Sequence, residues 1–231
     1  MGFFPACIAC RITGTHLAQI FPRWTNRLPF IAVIAFPALL ILIVVLFWYY
    51  ASPWYTDVGY RPLQPVPYSH KLHAGDLKMD CRYCHTGVEV SPVAMVPPTK
   101  TCMNCHQLIK TGSDSLSLVR ESWTGGTPIM WVRVHELPDY AYFDHSAHLR
   151  AGVGCFTCHG NIAAMEVVEQ KRPLSMGWCL DCHRNPENFL RPREELTNME
   201  WEPPADQLEF AARLQAELSL NPPVACSGCH R

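Results

Sequence analysis

Between Leu28 and Thr56 the chain carries no charged residue, and the centre of that stretch, Phe30 to Ile34 and Ile41 to Phe47, is almost wholly apolar. The run is long enough to cross a bilayer once, and it predicts a transmembrane helix over residues 28–51. Its apolar part is longer than the centre of a cleaved signal peptide and no convincing small-x-small site follows, so the pattern points to an uncleaved anchor. Pro37 sits mid-span, where it either kinks the helix against a neighbouring membrane subunit or is simply tolerated in a lone anchor. Arg23 and Arg27 stand immediately before the run. By the positive-inside rule they place residues 1–27 in the cytoplasm and everything after Thr56 outside. Trp48, Tyr49, Tyr50, Trp54 and Tyr55 supply an aromatic belt for the outer interface.

Beyond the span the hydrophobic pattern breaks into short pieces. Residues 52–67 read as a linker, stiffened by Pro62, Pro65 and Pro67, that lifts the remainder off the membrane. Ser113 through Trp123 predicts a short helix ended by Gly125-Gly126. Ile129 through His135 reads as extended, with Trp131, Arg133 and His135 on one side. Asp206 with Glu209 resembles a capping box opening a helix over Leu208–Leu218, which Asn221-Pro222-Pro223 stops. The outer domain, 68–231, is thus expected to hold mostly short α-helices and loops with little strand.

Cysteine and histidine change that picture. The pattern Cys-x-x-Cys-His occurs five times: Cys81, Cys84 and His85; Cys102, Cys105 and His106; Cys155, Cys158 and His159; Cys179, Cys182 and His183; Cys226, Cys229 and His230. Two thiols three positions apart can each add to one vinyl group of a haem, and the adjoining His then reaches the iron from the same side. Zinc sites and redox dithiols also use Cys-x-x-Cys. Neither accounts for five copies, each closed by His, that together use ten of the twelve cysteines. The expectation is five covalently attached c-type haems in a haem-packed domain. At about 35 residues per macrocycle there is too little chain for a separate core around each, so the haems must supply much of the buried apolar surface. Cys7 and Cys10 imitate the motif but precede Arg11; reduced thiols without function are expected there, with zinc binding or lipid attachment as alternatives.

An internal repeat orders the sites. Tyr68-x-His70-x-x-His73 precedes Cys81 and Cys102, and Phe143-x-His145-x-x-His148 precedes Cys155 and Cys179. Residues 68–106 and 143–183 therefore read as duplicated dihaem modules, and 184–231 as a C-terminal helix with the fifth haem. Histidines three apart share one face of a helix, so the second of each pair can cross to a haem other than its sequence neighbour. Setting aside the motif histidines and His16, on the cytoplasmic side, leaves His70, His73, His135, His145 and His148 for five sixth positions. The match predicts bis-His iron throughout, with His135 serving the site at Cys226. Methionine is the competing ligand. Met95, Met165 and Met176 are the candidates, and a Met ligand would release His135 first.

The net charge of −1 hides an uneven distribution. The first 56 residues hold Arg11, Arg23 and Arg27 and no acid, while beyond them 20 acids face 16 Lys plus Arg, which argues against a nucleic-acid surface. No dinucleotide-binding glycine pattern, nucleophile elbow or Walker sequence occurs. Nor does any motif end in Lys in place of His, as at the catalytic haem of multihaem nitrite reductases, so no catalytic residue is expected here. Haem attachment is extracytoplasmic in bacteria, in agreement with the topology read from Arg23 and Arg27.

The paired-histidine units and the sites that follow them resemble class III multihaem cytochromes, in which such histidines ligate neighbouring haems; Tyr68 stands where that pattern usually has Phe. More narrowly, the resemblance is to the pentahaem cytochrome subunit of alternative complex III. It is carried by the single span, the five haem sites, Tyr68 through His73, Trp131 through Pro138, and Leu174-Ser175-Met176-Gly177-Trp178 before Cys179, and it covers most of the chain after residue 27. It implies a single-pass subunit of a quinol:electron-acceptor oxidoreductase in the bacterial inner membrane, with its C-terminal domain in the periplasm. Its implied partners are membrane-embedded quinol-binding subunits and an iron-sulfur subunit. Electrons would leave to a periplasmic cytochrome, a blue copper protein or an oxidase. Two alternatives stay open. One is a free-standing membrane-anchored quinol dehydrogenase feeding periplasmic reductases, against which stands the spacing of about thirty residues and a stiff linker between span and Cys81. The other is an enzyme with one open haem that reduces a small nitrogen or sulfur compound.

Overall fold

The computed structural model describes residues 20–230; Cys7, Cys10, Arg11 and His16 lie outside the described residues. A 3-10 turn at Arg23–Arg27 leads into helix α1 (Leu28–Tyr50), which runs through Pro37. Its 23 residues at 1.5 Å of rise each give about 34 Å, enough for a hydrocarbon layer of about 30 Å. None of its residues is buried, as suits a helix that meets hydrocarbon on all sides. The helix matches the expected span to within one residue and is long and apolar enough to serve as a single-pass membrane anchor. The chain up to Tyr49 is one unit and the chain from Tyr50 onward a second.

In the second unit a single turn, α2 (Pro53–Thr56), precedes the proline-rich stretch. That stretch is extended and fastened along the domain. Gly59 N–H donates to Gln170 O at 2.8 Å and Gln170 N–H returns a bond to Tyr60 O at 3.0 Å. The Gln64 amide then spans both backbone groups of Val132, each at 2.9 Å. Prolines remove donors from this strip, and a side-chain amide takes the place of a strand ladder. Val66 is buried in a small cluster with Met103 and Val119, against which Ile129 and Trp131 pack.

The remaining helices are short: α3 (Cys81–Cys84), α4 (Thr99–His106), α5 (Ser117–Gly125), α6 (His145–Arg150), α7 (Cys155–His159), α8 (Met176–Arg184) and α9 (Gln207–Leu218). Among the described residues there are no strands, only isolated bridges joining Ala141 to His230 and Val153 to Leu190. Four of the five Cys-x-x-Cys pairs sit in an α-helical turn, and the fifth in a 3-10 turn at Cys226–Gly228. Helical spacing of three puts both thiols on one face, as attachment to one macrocycle demands.

Helix α5 ends where Gly125-Gly126 predicts, with Gly126 in the left-handed region at φ 67°. Helix α9 starts as expected, but the capping box does not form. Asp206 has φ −98° and ψ 25° and its side chain caps no N–H. A capping side chain needs an extended backbone to reach back over the first turn. Arg213 instead meets Glu209 at 2.9 Å and Asp206 at 4.0 Å.

Protein core is scarce. Among the described residues, besides the Val66 cluster there is one more of the same size, Val88 with Leu149 and Leu196. Leu72, Leu77, Tyr83, Leu108, Ile109 and Val132 remain exposed. A domain of this length with so little apolar burial needs another hydrophobic component to hold it.

Candidate haem-binding sites

Four pairs of imidazoles face each other across the domain. The ring centres lie 6.5 Å apart for His70 and His85, 6.3 Å for His73 and His106, 6.4 Å for His145 and His159, and 6.1 Å for His148 and His183. Two imidazoles binding one metal from opposite sides, with metal–nitrogen bonds of about 2 Å and each ring centre about 1.1 Å behind its nitrogen, stand about 6.2 Å apart. Each pair joins one motif histidine to one histidine of the upstream repeat. His73 lies opposite His106 of the second motif and not His85 of the first, and His148 opposite His183 of the fourth and not His159 of the third.

The second nitrogens of these rings carry the same message. The Nδ1–H groups of His73, His85, His106, His145, His148, His183 and His230 donate to the backbone carbonyls of Ser69, Met95, Ile109, Pro92, Asp144, Pro223 and Tyr140, at 2.7–3.1 Å. Bonds of this kind fix the tautomer, leaving Nε2 with its lone pair for a metal. Burial, followed by the neighbouring imidazoles, pushes His70 down to about 4 and His159 to about 3, so both rings are held in the neutral, ligating form.

The two repeat units build their histidine pairs alike. Tyr68 stacks on His73 with centres 4.4 Å apart and meets His70 edge-on at 4.8 Å; Phe143 stacks on His148 at 4.4 Å and meets His145 at 4.7 Å. Tyr68 thus makes the contacts of the Phe it replaces. The backbone differs: His145 opens α6 behind Asp144, whose carboxylate accepts from Ala147 N–H at 3.2 Å, whereas His70 opens a π-helical turn at Lys71–Asp76.

The fifth site departs from expectation. His135 does not reach His230; its Nε2 lies 3.3 Å from His159 Nδ1, within hydrogen-bond distance. The Gln64–Val132 bonds and the packing of Ile129 and Trp131 hold that segment beside the third site. His230 is placed by its own Nδ1 bond to Tyr140 O, by the Ala141 bridge, and by Tyr142 N–H donating to Cys229 O at 2.8 Å. No histidine among the described residues pairs with it. Of the candidate methionines, Met95 and Met165 act through their carbonyls, toward His85 and Lys71, and Met176 is exposed.

Some supporting groups carry no signal in the sequence. Asp80 caps α3, accepting from Arg82 N–H at 2.8 Å, from Arg82 Nε and Nη2 at 2.9 Å each, and from Thr197 Oγ1 at 3.0 Å. It thereby ties the first motif to the C-terminal connector. Arg191 is buried, stacks on Trp201 at 4.5 Å and donates to Asn198 O at 3.0 Å. A Cβ at Gly154, just before Cys155, would collide with its guanidinium. The Nε groups of Arg172 and Arg191 are buried without partners and line one cavity with Phe156 of the third motif and Trp178 beside the fourth.

Haem fits these residues: paired thiols on single helical turns, paired imidazoles at the separation that two ligands of one metal would have, exposed apolar side chains, and unpartnered guanidinium N–H groups of the kind that bind carboxylates. A family model for cytochrome c7 and related cytochrome c matches residues 141–231, a stretch that contains three of the five motifs. The chain is also 29% identical to the menaquinone reductase, multiheme cytochrome c subunit, of Nitratidesulfovibrio vulgaris, over 55% of this chain and 70% of that one. The chain carries a multihaem cytochrome c domain. The work of such a domain is electron transfer.

The Asp80 clamp gives a pH signature. Its side-chain bonds to Arg82 hold the carboxyl down to about 2 against an ordinary 3.8. A depressed acid stabilises the fold above its unfolded pKa and loses that contribution as pH falls through the folded value. Asp80→Asn is expected to lower thermal stability by about 1 kcal/mol or less at neutral pH, the group being partly solvent-screened. The gap between the two proteins should close between pH 3.8 and about 2, as followed by thermal melts across that window. A pH-independent gap would remove the carboxylate from the explanation.

Proposed function

We propose that this cytochrome is the electron-relay subunit of a membrane-bound quinol:acceptor oxidoreductase of the alternative complex III type. It would be anchored by α1 with its haem domain on the periplasmic side. Haem supplies reversible one-electron cycling of iron. The chain holds five such groups at Cys81/Cys84, Cys102/Cys105, Cys155/Cys158, Cys179/Cys182 and Cys226/Cys229, with His85, His106, His159, His183 and His230 as proximal ligands. His70, His73, His145 and His148 close the first four sites in the pairing described above. The observation that carries the reading is the set of four imidazole pairs at 6.1–6.5 Å. At the first four sites, irons held by these residues would exchange electrons and leave no place there for substrate, as befits a relay between an iron-sulfur or quinol-binding subunit and a periplasmic acceptor.

The relative's name gives a second reading, in which electrons run toward a menaquinone. Such a relay serves either direction, and the potentials of its partners choose between them. Purification in mild detergent is expected to bring polytopic membrane subunits and an iron-sulfur protein along with the chain. The chain reconstituted alone should then neither oxidise quinol nor reduce quinone. Rapid quinol oxidation by the isolated chain would make it a free-standing quinol dehydrogenase instead.

A further inference from the structure

The order of the sites in space differs from their order along the chain. The first and second motifs touch directly, since Asn104 Nδ2 donates to Tyr83 OH at 3.0 Å and each residue lies inside its own Cys-x-x-Cys-His loop. The same π-helical turn supplies histidines to both. On its other side the first site meets the third. His145, which faces His159, donates from Nδ1 to Pro92 O at 2.8 Å and from its backbone N–H to the same oxygen at 3.2 Å; Ser146 N–H reaches Ser91 O at 3.3 Å. Ser91 and Pro92 belong to the loop that follows His85 and returns to it through the Met95 carbonyl. Lys71 N–H beside His70 donates to Met165 O, just beyond the third motif, at 2.9 Å. The two rings within the His70–His85 pair are parallel to 4° and those within the His145–His159 pair to 8°.

The third and fourth sites share α6, which carries His145 and His148, and a cavity lined by Phe156, Thr157 and Trp178 lies between their motifs. The fourth and fifth are joined by His183 Nδ1, which donates to Pro223 O at 2.7 Å, three residues before Cys226.

We infer that the five sites form a line in the order Cys102, Cys81, Cys155, Cys179, Cys226, and that redox partners meet the cytochrome at its two ends. The inference rests on the haem-relay reading. It is carried by the chain of direct contacts and by an independent observation: of the ten motif cysteines, only Cys105 and Cys226 are exposed, and they belong to the two terminal sites. The site attached first along the chain is thus internal, and the second is a terminus.

Two NMR measurements on the unaltered, haem-loaded full chain in detergent test this. In a stepwise redox titration, reduction of one haem shifts the midpoint of another by an amount that falls with distance. The shifts should be about twofold or more larger for the four neighbouring pairs than for the rest. A larger interaction between the Cys102 and Cys155 haems than between the Cys81 and Cys155 haems would restore sequence order and overturn the inference while leaving the relay intact. Failure of the haems to reduce reversibly would sink both. A soluble gadolinium chelate should broaden the Cys102 and Cys226 haem methyl signals first; earlier broadening at Cys81 or Cys155 would remove the ends as ports.

Discussion

His73→Ala is expected to open the iron at Cys102 and leave the iron at Cys81 six-coordinate. His73 stands 6.3 Å from His106 and His70 6.5 Å from His85, so the two histidines of one turn lie opposite two different motif histidines. Removing the His73 imidazole deletes one axial ligand and no attachment thiol. One haem per chain should therefore pass from low-spin to high-spin without loss of haem content. The reduced variant should bind one more carbon monoxide per chain than the parent. The parent itself should bind at most one, at the Cys226 site, because His230 is the motif histidine that faces no other imidazole among the described residues. Magnetic circular dichroism of the variant settles the assignment. If the altered haem were the one at Cys81, the crossed pairing would be wrong. His148→Ala should act in the same way on the Cys179 haem, through the equivalent contact at 6.1 Å.

The second large effect is expected when the chain is made without haem attachment. Among the described residues the outer domain then has to fold on few buried apolar side chains: two clusters of three, Val66 with Met103 and Val119, and Val88 with Leu149 and Leu196, together with Met165, Leu190 and Ala211. Its helices other than α9 have at most nine residues. Helices shorter than about 12–15 residues are marginal in water without packing. Expression in cells lacking the attachment machinery should give a chain whose outer domain has lost most of its helical circular dichroism and is cut throughout by protease. The haem-loaded form should resist cleavage. A stable, protease-resistant haem-free domain would show that the protein core suffices and would contradict the haem-packed fold.

Much of the site is legible along the chain because its chemistry is local. Cys-x-x-Cys-His and the aromatic-x-His-x-x-His unit each fit within two helical turns of 3.6 residues, so spacing alone implies shared faces. The crossing of the second histidine follows from the same geometry. The span from Leu28 is legible for a similar reason, since length and lack of charge are properties of one segment. The helix over Ser117–Gly125 and its stop at Gly126 belong to the same class.

What local pattern could not supply is which distant groups meet. Counting five spare histidines against five irons assigns His135 to Cys226. The fold spends His135 on His159, 24 residues away, because Gln64 and the Val66 cluster hold its segment there. The Asp206 capping box fails for a related reason: the two residues are correctly spaced, but the backbone leading into α9 is not extended. The carbonyls that hold the ligand rings come from 53 residues away at Pro92, 40 at Pro223 and 90 at Tyr140, and nothing in those residue types announces the role. Attachment chemistry and ligand type are therefore written in single turns of chain, where spacing is geometry. The partner of each ring, the exception at the fifth site and the spatial order of the five sites arise only when loops far apart in sequence share a hydrogen bond, and backbone carbonyls carry no sequence signature.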